Sequence, residues 1–173
     1  MDSFFEILKY ILPAGIVFIA TYFFAKSFFD NESQKRRLEY KSNNQKLITP
    51  VRLQAYERLT LLLERISPES LIMRCQSQGM TVKQLQSDLL SVIRAEFDHN
   101  LSQQIYVSPQ TWEIIKSTRE NIVKLVNSCS DGLNADAPAI ELSRRILETV
   151  MANEKNPTAI ALDFLKAEVK QFI

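Results

Sequence analysis

Glycine is scarce in this chain: three among 173 residues, where average usage of about 7% would give roughly twelve. That scarcity excludes the turn-rich all-β folds and any glycine-rich phosphate loop. The two cysteines, Cys75 and Cys129, cannot build a disulfide framework or a four-ligand zinc site. They read as small buried apolar groups. A single histidine, His99, leaves neither a facial metal triad, which needs two, nor the paired Glu/His motifs of a di-iron bundle. The net charge is +1, so the chain as a whole offers no electrostatic attraction for nucleic acid.

Charge is also missing locally, and there its absence is informative. Tyr10 to Ala25 reads YILPAGIVFIATYFFA, sixteen residues without a charge, bracketed by Lys9 and Lys26. As a helix it rises about 24 Å, short of the roughly 30 Å hydrocarbon core of a bilayer. The flanking Phe4, Phe5, Ile7, Leu8, Phe28 and Phe29 close the gap, and the two lysines can lift their ammonium groups to the interface. The side chains that carry the span are Tyr10, Ile11, Leu12, Ile16, Val17, Phe18, Ile19, Phe23 and Phe24. The eight aliphatic and phenyl groups among them favour insertion by about 2 to 5 kcal/mol in sum. A cleaved signal peptide is the weaker reading, because Asp2 and Glu6 occupy the region that should be basic and large aromatics stand where small residues should precede the cut. An interfacial helix needs a polar face, which residues 10–25 lack. The expectation is a transmembrane anchor over residues 1–29.

Orientation follows from the basic residues beside the span. Only Lys9 precedes it, whereas Lys26, Lys35, Arg36, Arg37, Lys41 and Lys46 follow. The C-terminal side should therefore be cytoplasmic and the short N-terminus outside. Residues 30–46 form a polar juxtamembrane helix or linker. Its Lys35, Arg36, Arg37 and Lys41 could contact anionic lipid headgroups. Asp30, Glu32 and Glu39 dilute them, so the plainer reading is that they set topology and solvate the segment. A break is expected at Ser42-Asn43-Asn44-Gln45.

Residues 47–173 read as a compact cytoplasmic α-helical domain of five to six helices. Past residue 46 there are 14 basic against 15 acidic residues, with no basic stripe. Thr49-Pro50, Ser67-Pro68, Ser108-Pro109 and Asn156-Pro157 each place a capping oxygen before a proline suited to the first helical position. Asp136-Ala137-Pro138 is a looser version, Thr81 with Gln84 makes a capping box, and Gly79 and Gly132 stand where helices should end. These markers predict helices over 50–66, 68–77, 82–103, 109–130, 138–153 and 157–172. Apolar residues recur at steps of three and four: Val82, Leu85, Leu89, Val92, Ile93, Phe97 and Leu101 in one helix, Trp112, Ile115, Ile122, Val126 and Cys129 in the next, and Ala161, Leu165, Val169 and Phe172 in the last. Helix 50–66, with Leu53, Tyr56, Leu59, Leu62, Leu63 and Ile66 on a broad face, should be central. Ile105-Tyr106-Val107 reads as an extended connector whose apolar groups plug the bundle. Leu61, Ile72, Ile114 and Val123 fall off the main stripes and would mark a partner surface if they coincide. Trp112 could anchor a partner, but its spacing places it in the core.

For chemistry the one arrangement to weigh is Glu96-Phe97-Asp98-His99. Phe97 is the core position, and His99 lies about 200° of helical turn away from it, near the helix end where its charge suits the dipole. With no second histidine and no Gly-x-Ser-x-Gly elbow, the expectation is no catalysis, no metal and no cofactor.

The stretches EFDHNLSQQIYVS (96–108) and TPVRLQAYERLTLLLERI (49–66) resemble a family of short single-pass membrane proteins of unknown function with a cytoplasmic helical domain, from Bacteroidetes-type bacteria. The likeness covers most of the chain. It implies a bacterial inner-membrane location and brings no catalytic residues. The functional expectation is a membrane-anchored interaction or scaffold module that meets the lipid bilayer and other membrane or cytoplasmic proteins, and no nucleic acid. The rivals are a homo-oligomeric structural membrane protein and an enzyme using His99.

Overall fold

The computed structural model describes residues 2–152 and 156–171, with side chains of residues 2–15, 20, 38 and 40–44 outside that description. Its helices are α1 (Asp2–Arg65), α2 (Pro68–Cys75), α3 (Val82–His99), a 3-10 helix (Leu101–Ile105), α4 (Pro109–Ser130), α5 (Ala139–Ala152) and α6 (Pro157–Val169). The fold is all-α. Two compact units divide the chain, residues 1–48 and 49–173. Phe172, expected on the last apolar stripe, lies outside the described residues.

The sequence markers start the helices as expected in four places. Ser67, Ser108 and Asn156 accept bonds from the backbone N–H groups of Ser70, Thr111 and Thr158, each with a proline opening the helix. Thr81 and Gln84 close a reciprocal capping box. The exception is Thr49-Pro50. There α1 is already helical from residue 2 and passes through the proline, and the predicted break at Ser42–Gln45 is helical too. Pro50 deletes one ladder bond and crowds the carbonyl four residues back, a penalty of about 3 kcal/mol. Pro50 is exposed. Gly79 (φ +84°) and Gly132 (φ +78°) adopt the left-handed conformation past α2 and α4 that other residues avoid.

In the second unit the final turns of α1 bury Tyr56, Leu59, Leu62 and Leu63, and Ile66 just past its end joins them in one continuous core. Leu53 departs from the predicted face at 40% exposure, and Leu61 points outward at 49%. We expect Leu63→Ala to lower stability by about 2–5 kcal/mol and Leu61→Ala to change it by less than about 0.5 kcal/mol, read from chemical denaturation; equal losses would remove the central role assigned to this helix. α3 and α4 run antiparallel. Gln86 donates to Asn127 at 3.0 Å near one end, and Phe97 stacks on the buried Trp112 at 5.5 Å near the other. Three further sequence expectations are corrected. Helix α3 ends at His99 rather than 103, leaving Leu101 exposed on the 3-10 turn. Of the expected plug, Val107 is buried but Ile105 is 74% exposed, because the 3-10 turn rotates it outward. Ile72, expected outside, is buried.

The start of α5 is held by main chain. Pro138 supplies no side-chain cap; the strand-like bridge of Thr81 to Pro138 does the work. Val82 N–H donates to the Ala137 carbonyl and Ala139 N–H to the Met80 carbonyl, both at 2.9 Å, and Lys83 N–H to the Ala135 carbonyl at 3.1 Å.

Candidate functional site

Three features stand out, and the first lies in the first unit. From Ile16 to Phe29 the helix carries Ile16, Val17, Phe18, Ile19, Tyr22, Phe23, Phe24, Phe28 and Phe29, each 57–75% exposed. Among the described side chains, Tyr22 meets Phe23 and Phe28 meets Phe29, both edge to face. Tyr10, Ile11 and Leu12, also assigned to the span, are helical, and their side chains lie outside the described ones. Among the described residues no helix is long and apolar enough to cross a membrane. Downstream, Lys35, Arg36 and Arg37 are exposed and Arg36 pairs with Glu32 at 3.2 Å one turn earlier; Lys41 lies outside the described side chains.

The second feature is the Glu96–His99 stretch at the end of α3. The partners of Glu96 are two arginines of other helices. Its carboxylate accepts from Arg74 of α2 at 2.9 Å and from Arg65 of α1 at 3.3 Å. Burial would raise its carboxyl pKa, but the two guanidinium partners outweigh that and hold it below the usual value. His99 and Asp98 are exposed. Among the described residues no group of three His, Cys, Asp or Glu side chains could hold a metal ion. Cys75 is half-buried, and burial pushes its thiol pKa up, away from a reactive thiolate. Cys129 is buried against the Arg145 carbonyl and the Thr149 hydroxyl.

The third feature has no sequence motif. Glu168 of α6 is 8% exposed, and its carboxylate sits at the N-terminus of α4. Ser108, the capping residue there, donates its N–H at 2.8 Å and its hydroxyl at 2.9 Å, and Thr111 donates its hydroxyl. From α1, Tyr56 donates at 2.8 Å, with the Arg52 guanidinium bonded to the Tyr56 oxygen at 3.4 Å and to the Tyr106 carbonyl at 3.1 Å. A buried carboxylate is tolerated only when its oxygens are so satisfied, and the positive helix end adds to the attraction. Burial opposes ionisation of Glu168, but the bonds from Thr111, Tyr56 and Ser108 prevail and its pKa falls below the ordinary range. Burial, and then the carboxylate beside it, push Tyr56 up to about 12. The cluster joins α1, α4 and α6 and has the chemistry of a structural latch: the carboxylate oxygens meet hydroxyl and amide donors within it.

An all-helical protein with an exposed apolar leading segment, a satisfied polar latch and no metal-ligand cluster among its described residues is the class these features define. The chain belongs to the family of unknown function DUF7935, whose model matches residues 2–172. No curated protein and no solved structure matches it.

Proposed function

We propose that the chain is a single-pass protein of a bacterial inner membrane. Its leading helix would be the anchor, its N-terminus outside, and its second unit a cytoplasmic, non-catalytic interaction module. One observation carries the reading: nine large apolar side chains between Ile16 and Phe29 are exposed on a helix. Such a surface in water far exceeds what a soluble protein leaves uncovered. The uncharged run from residue 10 to 25 and the excess of Lys and Arg after it agree with a span whose C-terminal side faces the cytoplasm. Lys35, Arg36, Arg37 and Lys41 would then lie beside the inner leaflet, available to anionic headgroups. Tethering confines the helical unit to a thin layer at the bilayer and raises its effective concentration for other membrane proteins. Neither the Glu96 cluster nor the Glu168 latch offers reaction chemistry, which favours binding over catalysis.

Alkaline carbonate extraction of cell membranes tests the anchor. Full-length, unprocessed chain should stay in the pellet; its appearance in the supernatant would end the proposal. Failure of detergent-solubilised chain both to recover a partner and to crosslink to itself would end the interaction half independently.

A further inference from the structure

Between the antiparallel helices α3 and α4 runs an open groove of about 460 Å³. Its floor is apolar, made by Leu90, Ile93 and Val123. Its rim is cationic: Arg94, Arg119 and Lys124, against one carboxylate, Glu120. The groove ends at Asn127, which is engaged by Gln86 across the helix pair. Near the other end the Arg119 guanidinium lies 4.3 Å from the Phe97 ring centroid, and Phe97 in turn stacks on Trp112. Arg119 is thereby steadied by a cation–π contact without spending its hydrogen-bond donors on a carboxylate. Among the described residues neither Arg94 nor Lys124 makes a side-chain hydrogen bond or ion pair, and both are exposed. Elsewhere on the same unit arginines of comparable exposure, Arg65 and Arg74, converge on a carboxylate.

Three cations beside an apolar floor, with one acidic neighbour, complement a ligand that is negative at one end and apolar along its body. We infer that this groove binds a single-chain amphiphilic anion, a phosphate or carboxylate head on an alkyl chain. The volume falls within the roughly 300–1,000 Å³ typical of small-molecule sites. Two guanidinium groups suit a tetrahedral or planar oxyanion through paired N–H donors, and the lysine adds a mobile point charge. The alkyl body lies along Leu90, Ile93 and Val123, where covering even two methylenes is worth about tenfold in affinity. This site is distinct from the membrane anchor and does not depend on it.

The sole tryptophan reports on the site, because a ligand that draws Arg119 toward itself changes the environment of the Phe97–Trp112 stack. Full-length chain in phosphatidylcholine vesicles is titrated with octyl phosphate, octanoate, inorganic phosphate and octyltrimethylammonium. The expected result is a saturable change in tryptophan emission with either octyl anion and none with the ammonium. Inorganic phosphate should bind at least tenfold more weakly. Arg94→Glu with Lys124→Glu should weaken octyl phosphate binding at least twentyfold with the thermal midpoint preserved. The milder Arg94→Gln and Lys124→Gln should each cost about fivefold, so the assignment does not depend on the double variant folding. No saturable response, an equal response to the ammonium, an equal affinity for inorganic phosphate, or unchanged affinity in the folded variants each overturns it.

Discussion

Glu168→Ala is expected to destabilise the second unit by at least about 3 kcal/mol. The carboxylate accepts from the Tyr56 hydroxyl, from the Ser108 N–H and hydroxyl, and from the Thr111 hydroxyl. Hydrogen bonds to a charged group contribute about 1.5–3 kcal/mol each. The four do not add in full, since the Ser108 hydroxyl already reaches Thr111 at 3.1 Å and can re-pair there when the carboxylate is gone. Glu168→Gln retains the shape but turns an amide N–H₂ toward groups that are themselves donors, so about 1–2 kcal/mol should be lost. Guanidinium unfolding followed by tryptophan fluorescence measures both, and values within about 0.5 kcal/mol of the parent for both would refute the latch.

The latch also sets pH limits. Glu168 has a depressed pKa in the folded state, so the stability it gives is fully present above its ordinary value of 4.5 and disappears as pH falls through the folded value. Glu96 acts with the same sign. Tyr56 is raised from 10.0 to about 12, so its contribution holds below pH 10 and disappears as pH rises toward 12. Glu168→Gln should flatten the acid limb of the stability profile and leave a residual slope from Glu96.

The second large effect concerns the anchor. Val17→Arg with Ile19→Arg should move the chain from the carbonate pellet to the supernatant. Each arginine at the centre of a span costs about 2.5–3.5 kcal/mol and also removes an apolar contribution of about 0.3–0.6 kcal/mol. The pair therefore opposes insertion by about 6–8 kcal/mol, against the 2–5 kcal/mol by which the unmodified run favours it. Val17→Leu with Ile19→Leu should remain in the pellet. If the arginine pair also stays there, lipid is not what covers these side chains.

Helix placement was legible because it rests on local chemistry. A serine or asparagine before a proline carries its own start signal, and Ser67, Ser108 and Asn156 behave accordingly. Thr49-Pro50 has the same letters but sits inside a helix already propagating, where adding a turn is easier than nucleating one. Periodicity found the inner faces, Leu59, Leu63, Leu89, Ile115 and Ile122 among them. It failed at margins: Leu53 and Leu101 lie where a helix leaves the core or ends, and Ile72 belongs to an eight-residue helix too short to define a face. Glu168 was illegible for a different reason. Its partners stand 57, 60 and 112 residues away, and an acidic residue near a chain terminus reads as solvated surface. Glu96 was noticed for its proximity to His99 in sequence, yet its partners are Arg65 and Arg74, which no local spacing reveals. The α3–α4 groove was equally hidden, since Arg94, Arg119 and Lys124 form no run. Val123 alone hinted at it.

The bridge between Met80–Lys83 and Ala135–Ala139 closes a long excursion of chain through amide and carbonyl groups alone. Because it recognises backbone rather than side chains, its bonds survive any substitution that keeps the amide or carbonyl in place, even though Val82 and Ala139 also serve the core. Only proline at 82, 83 or 139 would delete a donor.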